Sequence, residues 1–137
     1  MTPASPIAPP APVVATIGWL VPGAGYWMIG QKARGLTIGL TILVLFVMGL
    51  WIGGVSVVKA PPSVNPLTII GTDPWFMGQI LNGPLCFAPI ALSRWLGAPA
   101  SHARSQDIGQ LYTAIAGMLN LLAIMDSAYR ARRGATR

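Results

Sequence analysis

The sequence predicts an all-α integral membrane protein with three transmembrane helices and a short N-terminal element that is kinked or re-entrant. Only 9% of the 137 residues are charged, against about 25% in typical soluble domains. Hydrophobic residues make up 53% of the chain, and its mean hydropathy is +0.61. Residues 35–58 contain no charged side chain. At this length we expect a single helical membrane domain, over residues 13–130.

The N-terminal region is predicted to contain a proline-rich arm and a short membrane element. Five of residues 1–12 are proline, which favours a disordered or polyproline-like arm. The uncharged residues 13–30 are either a kinked span or a re-entrant element that turns inside the membrane. The predicted turn residues are Pro22, Gly23 and Gly25. We expect Trp19, Tyr26 and Trp27 at headgroup level, which favours the re-entrant form.

Residues 35–58 are predicted to form the central transmembrane helix. These 24 residues would give a helix of about 36 Å, and a hydrocarbon core of about 30 Å needs roughly 20 residues. Two glycine pairs lie on it, Gly35 with Gly39 and Gly49 with Gly53. Small residues at this spacing let helices approach closely in lipid. We expect these glycines to pack within the chain, and a homodimer contact is the alternative.

Residues 74–96 are predicted to form a kinked span after a proline-rich loop over residues 60–73. Trp75 and Trp95 are 20 residues apart, about 30 Å along a helix, which matches two interfacial aromatic belts. Polar and helix-breaking residues interrupt the segment: Gln79, Asn82, Gly83, Pro84 and Pro89. The alternative to a kinked span is a broken helix that lines a transport site.

Residues 108–130 are predicted to form the last span, with one large apolar face and one face of small, weakly polar residues. The second face is expected to pack on other helices. Its residues include Gly109, Thr113, Gly117, Asn120 and Ser127. Asn120 lies in mid-span and needs a hydrogen-bond partner on a neighbouring helix. Asp126 and Arg130 are four residues apart, which favours a local ion pair over a functional intramembrane acid.

The basic residues are predicted to set topology and contact lipid headgroups. The net charge is +6, but these residues lie at the ends of apolar segments, so we expect no nucleic-acid binding. They are Lys32, Arg34, Arg130, Arg132 and Arg133. An anionic ligand at the first two is the alternative. If each later segment crosses once, these two groups lie on opposite faces, and the basic tail, residues 131–137, is expected in the cytoplasm.

The sequence contains few groups that carry chemistry. Cys86 is the single cysteine and, because it lies in an apolar run, is expected to be a small hydrophobic residue rather than a reactive thiol. His102 is the single histidine, expected on the surface, with ligation of a pigment or haem as the alternative. No nucleophile–base pair, paired carboxylates or metal cluster is recognisable. We therefore expect no enzymatic activity, no metal site and no cofactor, while bound lipid or pigment stays open.

Two motifs resemble those of known small bacterial membrane proteins. Residues 19–30, WLVPGAGYWMIG, followed by Lys32, Arg34 and Gly35, resemble a "PGxGhxylGrxxrG" opening that the two-transmembrane-hairpin domain shares loosely. Residues 107–122, DIGQLYTAIAGMLNLL, followed by Asp126, resemble the "GxxYTAxAGxLNLLxxxD" ending of an uncharacterised bacterial family, a domain of unknown function. The resemblance implies several membrane helices and no known activity.

Together these features predict a non-catalytic structural or accessory subunit of a larger complex in the bacterial inner membrane. A respiratory or photosynthetic complex is the expected type, in which small helical subunits pack against neighbours and hold lipid or pigment. The expected partners are the subunits of that complex and membrane lipids. The alternative is a small homo-oligomeric transporter or channel lined by Gln79, Asn82 and Asn120.

Overall fold

A computed structural model describes residues 9–54, 57–58, 74–97 and 104–135, and their regular elements are all helical. The α-helices are α1 (Ala11–Leu20), α2 (Ala24–Met28), α3 (Lys32–Gly53), α4 (Pro74–Ile80), α5 (Phe87–Leu96) and α6 (Arg104–Ala135). A 3₁₀ turn, Gly83–Cys86, precedes α5. Most of the predicted arm, the predicted loop over residues 60–73 and His102 lie outside the described residues.

Helices α3 and α6 are the two described helices that are long and apolar enough to cross a membrane, by length and composition. The candidate spans are Lys32–Gly53 and Arg104–Gly134, and an 18-residue stretch within each has a mean hydropathy of 2.3 and 1.6, respectively. At 1.5 Å per residue, the 22 residues of α3 extend about 33 Å. The central and last predicted spans are therefore present as helices, although α3 begins and ends earlier in the chain than predicted.

Helices α3 and α6 run antiparallel. Gly49 and Gly53, late in α3, lie against Gly109, early in α6. Thr37, early in α3, lines the same groove as Asp126, late in α6. The basic residues that begin α3 and those that end α6 therefore lie at one end of the bundle, which we call the basic end. Its residues are Lys32, Arg34, Arg130, Arg132 and Arg133.

The prediction that these basic groups lie on opposite faces is wrong, because residues 74–97 reverse direction within the bundle. Gly78 of α4 packs against Ala114, so α4 runs alongside the first half of α6. After the 3₁₀ turn, Ile90 of α5 packs on an apolar cluster that contains Phe76, near the start of α4. Because α3 ends and α6 begins at the same end of the bundle, the segment enters the bundle and returns as a helical hairpin. A third transmembrane helix is not confirmed.

Helices α1 and α2 form a second hairpin, which starts from the basic end. Val14 of α1 packs against Ala131, near the end of α6. The chain turns over residues 21–23, where Gly23 adopts φ +84°, a conformation that favours glycine. Gly25 then lies back beside the carbonyl of Val14. Ile29, which follows α2, packs on the cluster of Ala11 and Val14, so the two ends of this segment lie together.

The two hairpins meet tip to tip. Trp19 Nε1, near the end of α1, donates a hydrogen bond to the carbonyl of Ile80 at 3.2 Å. Asn120, near the middle of the 32-residue α6, donates from Nδ2 to the carbonyl of Leu81 at 2.8 Å. The tips therefore meet about halfway along the bundle. The indole N–H of Trp19 is used in this contact within the chain, and its location at headgroup level stays a prediction.

Candidate functional site

The polar chemistry of the described residues concentrates where the hairpins meet, in a cluster that we call the polar junction. Its members are Gln79, Asn82, Thr113 and Asn120, each at most 1% exposed. An amide or hydroxyl buried without a hydrogen bond costs about 1–3 kcal/mol in protein mutational data. The partners of these groups therefore decide whether the junction stabilises the fold or offers a binding site.

Gln79 and Thr113 connect α4 to α6 through side chains. Gln79 Nε2 donates to Thr113 Oγ1 at 2.8 Å and to the carbonyl of Val57 at 3.4 Å. The Thr113 hydroxyl lies 3.0 Å from the carbonyl of Gln110 and 3.1 Å from that of Gly109, one turn earlier in α6. It accepts from the amide and donates to its own helix, so a single hydroxyl couples the two elements.

The break after α4 leaves backbone carbonyls without helical partners, and side chains from other elements bind them. The indole of Trp19 donates to the carbonyl of Ile80, and the amide of Asn120 donates to that of Leu81. In a hydrocarbon environment each unsatisfied carbonyl costs several kcal/mol. Helices α1 and α6 therefore complete the backbone hydrogen bonding that a broken helix loses.

Two amide oxygens of the polar junction have no hydrogen-bond partner among the described residues. Asn82 Nδ2 donates to the carbonyl of Thr113 at 2.9 Å, but Asn82 Oδ1 accepts nothing. Asn120 Oδ1 is likewise buried and without a partner there. Buried acceptors of this kind are groups to which an ordered water, a cation or a donor on a ligand binds.

The predicted packing glycines of α3 lie against two different partners. A Cβ on Gly49 would lie 2.9 Å from the carbonyl oxygen of Gly109, so this part of α3 touches the backbone of α6. A Cβ on Gly39 would lie 2.5 Å from the carbonyl oxygen of Pro22, in the turn between α1 and α2. Gly35 lies beside the same turn and the Trp27 ring, and Gly53 lies beside Gly109.

The remaining predicted packing residues also lie at contacts between elements. A Cβ on Gly117 would meet the carbonyl oxygen of Gly78 in α4. Ser127 is buried, bonds to the carbonyl of Ile124 and lies beside Gly25. The face of small residues on α6 therefore contacts α3 and both hairpins.

A second polar cluster lies near the basic end. The hydroxyl of Tyr26 donates to Asp126 Oδ2 at 2.8 Å, and Arg130 Nε donates to the same oxygen at 2.8 Å. The predicted ion pair is therefore present. Tyr26 is buried, and this burial, together with the hydrogen bond to Asp126, raises its pKa to about 12. It is a neutral donor at physiological pH, and the sequence analysis missed this role.

An apolar cavity opens along the first half of α3, near the basic end. Lys32 and Arg34 are exposed on the first turn of α3, where Arg34 Nη1 donates to Gln31 Oε1 at 3.0 Å. The cavity, which we call the apolar groove, has a volume of about 410 Å³ and lies between the α1–α2 turn and α3. Its lining includes Leu20, Pro22, Trp27, Leu36, Leu40 and Leu43.

Among the described residues, no group of three or more His, Cys, Asp or Glu side chains is arranged to hold a metal ion.

Comparisons with known proteins place the chain in a family. No curated protein and no solved structure gives a significant match. The model of a family of unknown function, DUF6677, matches residues 13–136. This match confirms the expected resemblance to an uncharacterised domain, and the chain belongs to the DUF6677 family.

Proposed function

We propose that this protein is a non-catalytic structural or accessory subunit of a larger complex in the bacterial inner membrane, of respiratory or photosynthetic type. The observation that carries the proposal is the use of the buried polar groups. The bonds that Gln79, Asn82 and Asn120 donate go to backbone carbonyls and to one threonine hydroxyl. These bonds brace a small helical bundle, which suits a subunit whose task is to present surfaces to its neighbours.

The surface of α3 supports lipid as its environment. Five of its 22 residues are buried: Gly35, Ile42, Phe46, Gly49 and Gly53. Eight large apolar side chains of this helix are exposed, and Trp51 is 86% exposed. A core helix of a soluble protein buries most of its apolar side chains, because each exposed one forfeits about 1.5–3 kcal/mol. We therefore infer two spans, α3 and α6, with the two hairpins entering from opposite faces.

The basic end is proposed to be cytoplasmic. It carries five Lys and Arg residues, whereas the described residues at the opposite end include only Arg94 and Arg104 as cations. The positive-inside rule then places both hairpin α1–α2 and the end of α6 on the cytoplasmic side. Because the two groups of basic residues share one end, they favour the same orientation.

Labelling of single cysteines tests this topology. On a Cys86→Ala background, Arg34→Cys and Arg133→Cys are expected to be labelled by an impermeant maleimide only after the membrane is opened. Trp95→Cys, whose parent side chain is 83% exposed, is expected to be labelled in intact spheroplasts. Labelling of the Arg34 and Arg133 positions from opposite sides would contradict the inferred pair of spans.

Affinity capture tests the accessory role. The tagged protein, extracted from its native membrane in a mild detergent, is expected to bring down other membrane proteins at constant stoichiometry. Met118→Trp, on the exposed face of α6, should reduce capture if that face meets a partner. Val44→Trp is the matched control for the added ring, because Val44 is exposed on α3 to a similar extent, 48% against 55% for Met118. Recovery of the wild type only as a monomer or homo-oligomer would contradict the proposal.

A small transporter or channel is the second candidate, and the polar junction favours it. Two broken helical segments meet there at mid-depth, as in transporters whose sites lie between discontinuous helices. The unpartnered amide oxygens of Asn82 and Asn120 would coordinate a cation or accept from a substrate. Flux into proteoliposomes containing only this protein, lost in Asn82→Leu, would favour this candidate over the accessory role.

A further inference from the structure

We propose that the groove between α3 and α6 binds a phospholipid whose headgroup carries a primary ammonium, with the phosphate at Arg34 and the ammonium at Asp126. We call this cavity the α3–α6 groove. The proposal rests on the proposed membrane-embedded function and specifies which lipid is held and where. It depends on the shape of the groove, the charges at one end of it, and an oxygen of Asp126 that no described residue binds.

The α3–α6 groove runs from the basic end toward the middle of the bundle. Along α6 its lining extends from Asp126 to Leu119, seven residues that rise about 10 Å. Half of a 30 Å hydrocarbon core is about 15 Å. The volume of about 350 Å³ lies within the roughly 300–1,000 Å³ of small-molecule sites. The groove therefore accommodates the part of one acyl chain that lies nearest the headgroup.

The lining away from the basic end suits hydrocarbon. Ile38 and Ile42 of α3 and Leu119 of α6 line it. The hydroxyls of Thr37 and Thr41 donate to carbonyls of their own helix at 3.0 and 2.9 Å. These two hydroxyls therefore need no polar partner in the groove, and an acyl chain can pack over them.

Two arginines lie beside the end of the groove. Arg34 precedes Thr37 by three residues and Arg130 follows Asp126 by four, so each shares a helix face with a lining residue. Arg34 also acts electrostatically on both Tyr26 and Asp126. The planar N–H fork of a guanidinium suits phosphate oxygens. The phosphate above a chain in this groove is therefore within the field of two cations.

Asp126 supplies the acceptor that selects the headgroup. Tyr26 and Arg130 both donate to its Oδ2, at 2.8 Å each. Among the described residues none donates to Oδ1, and the partly exposed side chain lines the groove. A carboxylate oxygen accepts from an ammonium and repels an anion. With cations for a phosphate and a carboxylate for an amine, the site is complementary to a zwitterion.

Other ligands match these charges less well. The headgroup of phosphatidylglycerol would place no cation against Asp126. The quaternary ammonium of phosphatidylcholine has no N–H to donate. Free phosphoethanolamine would leave the apolar lining without a ligand. A lysine on a partner protein would suit Asp126 but would be repelled by the two arginines. We therefore assign the site to a bilayer phospholipid of the phosphatidylethanolamine class.

Native mass spectrometry tests the selectivity. The purified protein is equilibrated with micelles that contain equal amounts of phosphatidylethanolamine, phosphatidylcholine and phosphatidylglycerol. The wild type should retain one phosphatidylethanolamine, about fivefold more often than phosphatidylcholine. Asp126→Asn should remove this preference, whereas Asp107→Asn, an exposed acid in the first turn of α6, should keep it. A wild-type preference for phosphatidylglycerol, or an unchanged preference in Asp126→Asn, would overturn the proposal.

A second pair of variants tests the phosphate contact. Arg34→Gln should weaken retention of phosphatidylethanolamine and phosphatidylcholine alike, by about fivefold, since both carry the phosphate. Lys32→Gln removes a charge from the same turn, but its side chain lies about 200° around α3 from Arg34, on the side of the apolar groove. It should have little effect, because these lipids carry no net charge to attract from a distance. Equal losses in the two variants would refute the role of Arg34.

A third pair identifies the groove. Leu122 is 61% exposed and lines the α3–α6 groove, while Leu40 is 57% exposed and lines the apolar groove. Leu122→Trp should abolish retention and Leu40→Trp should not, and the reverse result would contradict the proposal. So would a phosphoethanolamine adduct that forms without lipid and persists in Leu122→Trp. Far-UV circular dichroism verifies folding, and Arg34→Gln, at an exposed position, tests the site even if Asp126→Asn does not fold.

These measurements use the isolated chain, so they are independent of any partner. Capture of membrane proteins without lipid retention would leave the accessory role intact and refute the lipid site. If Leu122→Trp instead releases a captured protein, that protein occupies the groove and the proposal is wrong. Lipid retention without partners would uphold the site and refute the accessory role.

Discussion

Substitution of Gly109 tests the closest contact between the two long helices. In Gly109→Ala the new Cβ would lie 2.6 Å from the carbonyl oxygen of Gly49 and 2.8 Å from Cα of Gly53. Both atoms belong to the backbone of α3, so no side-chain rotation relieves the overlap. Ordinary contact begins at 3.4 Å, so α3 must move by about 0.8 Å.

The expected cost follows from two opposing effects. Overpacking of a tight interface costs about 1–3 kcal/mol. Alanine in place of glycine within a helix returns about 1 kcal/mol. We therefore expect Gly109→Ala to lower the free energy of unfolding by as much as about 2 kcal/mol. The movement should also loosen Thr113, one turn further along α6, and with it the bond to Gln79.

Unfolding in mixed micelles with increasing dodecyl sulfate, followed by tryptophan fluorescence and circular dichroism, measures this difference. Gly134→Ala is the matched control, because Gly134 is exposed in the last turn of α6. It should be neutral or slightly stabilising through helix propensity alone. If Gly109→Ala proves as stable as Gly134→Ala, the helices do not meet at backbone distance and the reasoning fails.

Three other substitutions test the polar contacts. Asn120→Ala leaves the carbonyl of Leu81 without its donor. In the same micelle titration it should destabilise the fold by about 0.6 kcal/mol, the mean for hydrogen bonds within membranes, and by no more than their maximum of about 1.7 kcal/mol. Trp19→Phe removes the donor to the carbonyl of Ile80 and should speed amide exchange at the hairpin tip, measured by hydrogen–deuterium mass spectrometry. Because the pKa of Tyr26 is raised from 10.0 to about 12, its contribution to stability is complete below pH 10 and declines as the pH rises toward 12. Tyr26→Phe should remove this decline from the pH dependence of unfolding.

Matched variants at exposed positions distinguish the loss of these hydrogen bonds from the general effect of changing an aromatic side chain. Trp51→Phe changes an indole that is 86% exposed and should leave exchange at the hairpin tip unchanged. Tyr129→Phe changes a half-exposed phenol and should retain the alkaline decline. An Asn120→Ala protein as stable as the wild type, or faster tip exchange in Trp51→Phe, would contradict the assigned hydrogen bonds.

Local features of the sequence predicted the helices and the close-packing residues. The uncharged run around Ile42 has the length of a span, and the glycine spacing on α3 and α6 indicates close contact. Helix formation and close helix packing both depend on residues that are near in the sequence, so the spacing of apolar residues and glycines predicts them directly. The polar residues around Asn82 likewise marked the place where the third apolar segment breaks.

The local sequence pattern does not predict the course of the chain after that break. A kinked span and a hairpin over residues 74–97 need the same composition, apolar arms around a glycine–proline break. The difference lies in partners elsewhere in the sequence, such as Asn120 for the carbonyl of Leu81 and Trp19 for that of Ile80. The relative orientation of α3 and α6 depends on how many times this segment crosses the bundle. Because the sequence predicted one crossing and the segment makes none, the two basic groups lie at the same end rather than at opposite ends.

The hydrogen bonds at the tip of the second hairpin imply an order of events during biosynthesis. Residues 74–97 leave the ribosome before Thr113, whose carbonyl accepts from the side chain of Asn82, and before Asn120, whose side chain donates to the carbonyl of Leu81. Until α6 has been inserted, this hairpin has no donor for the Leu81 carbonyl and is poorly suited to the lipid interior. The nascent segment must therefore wait in the interface or in the insertion machinery, and chains truncated before Asn120 should become substrates for membrane proteases.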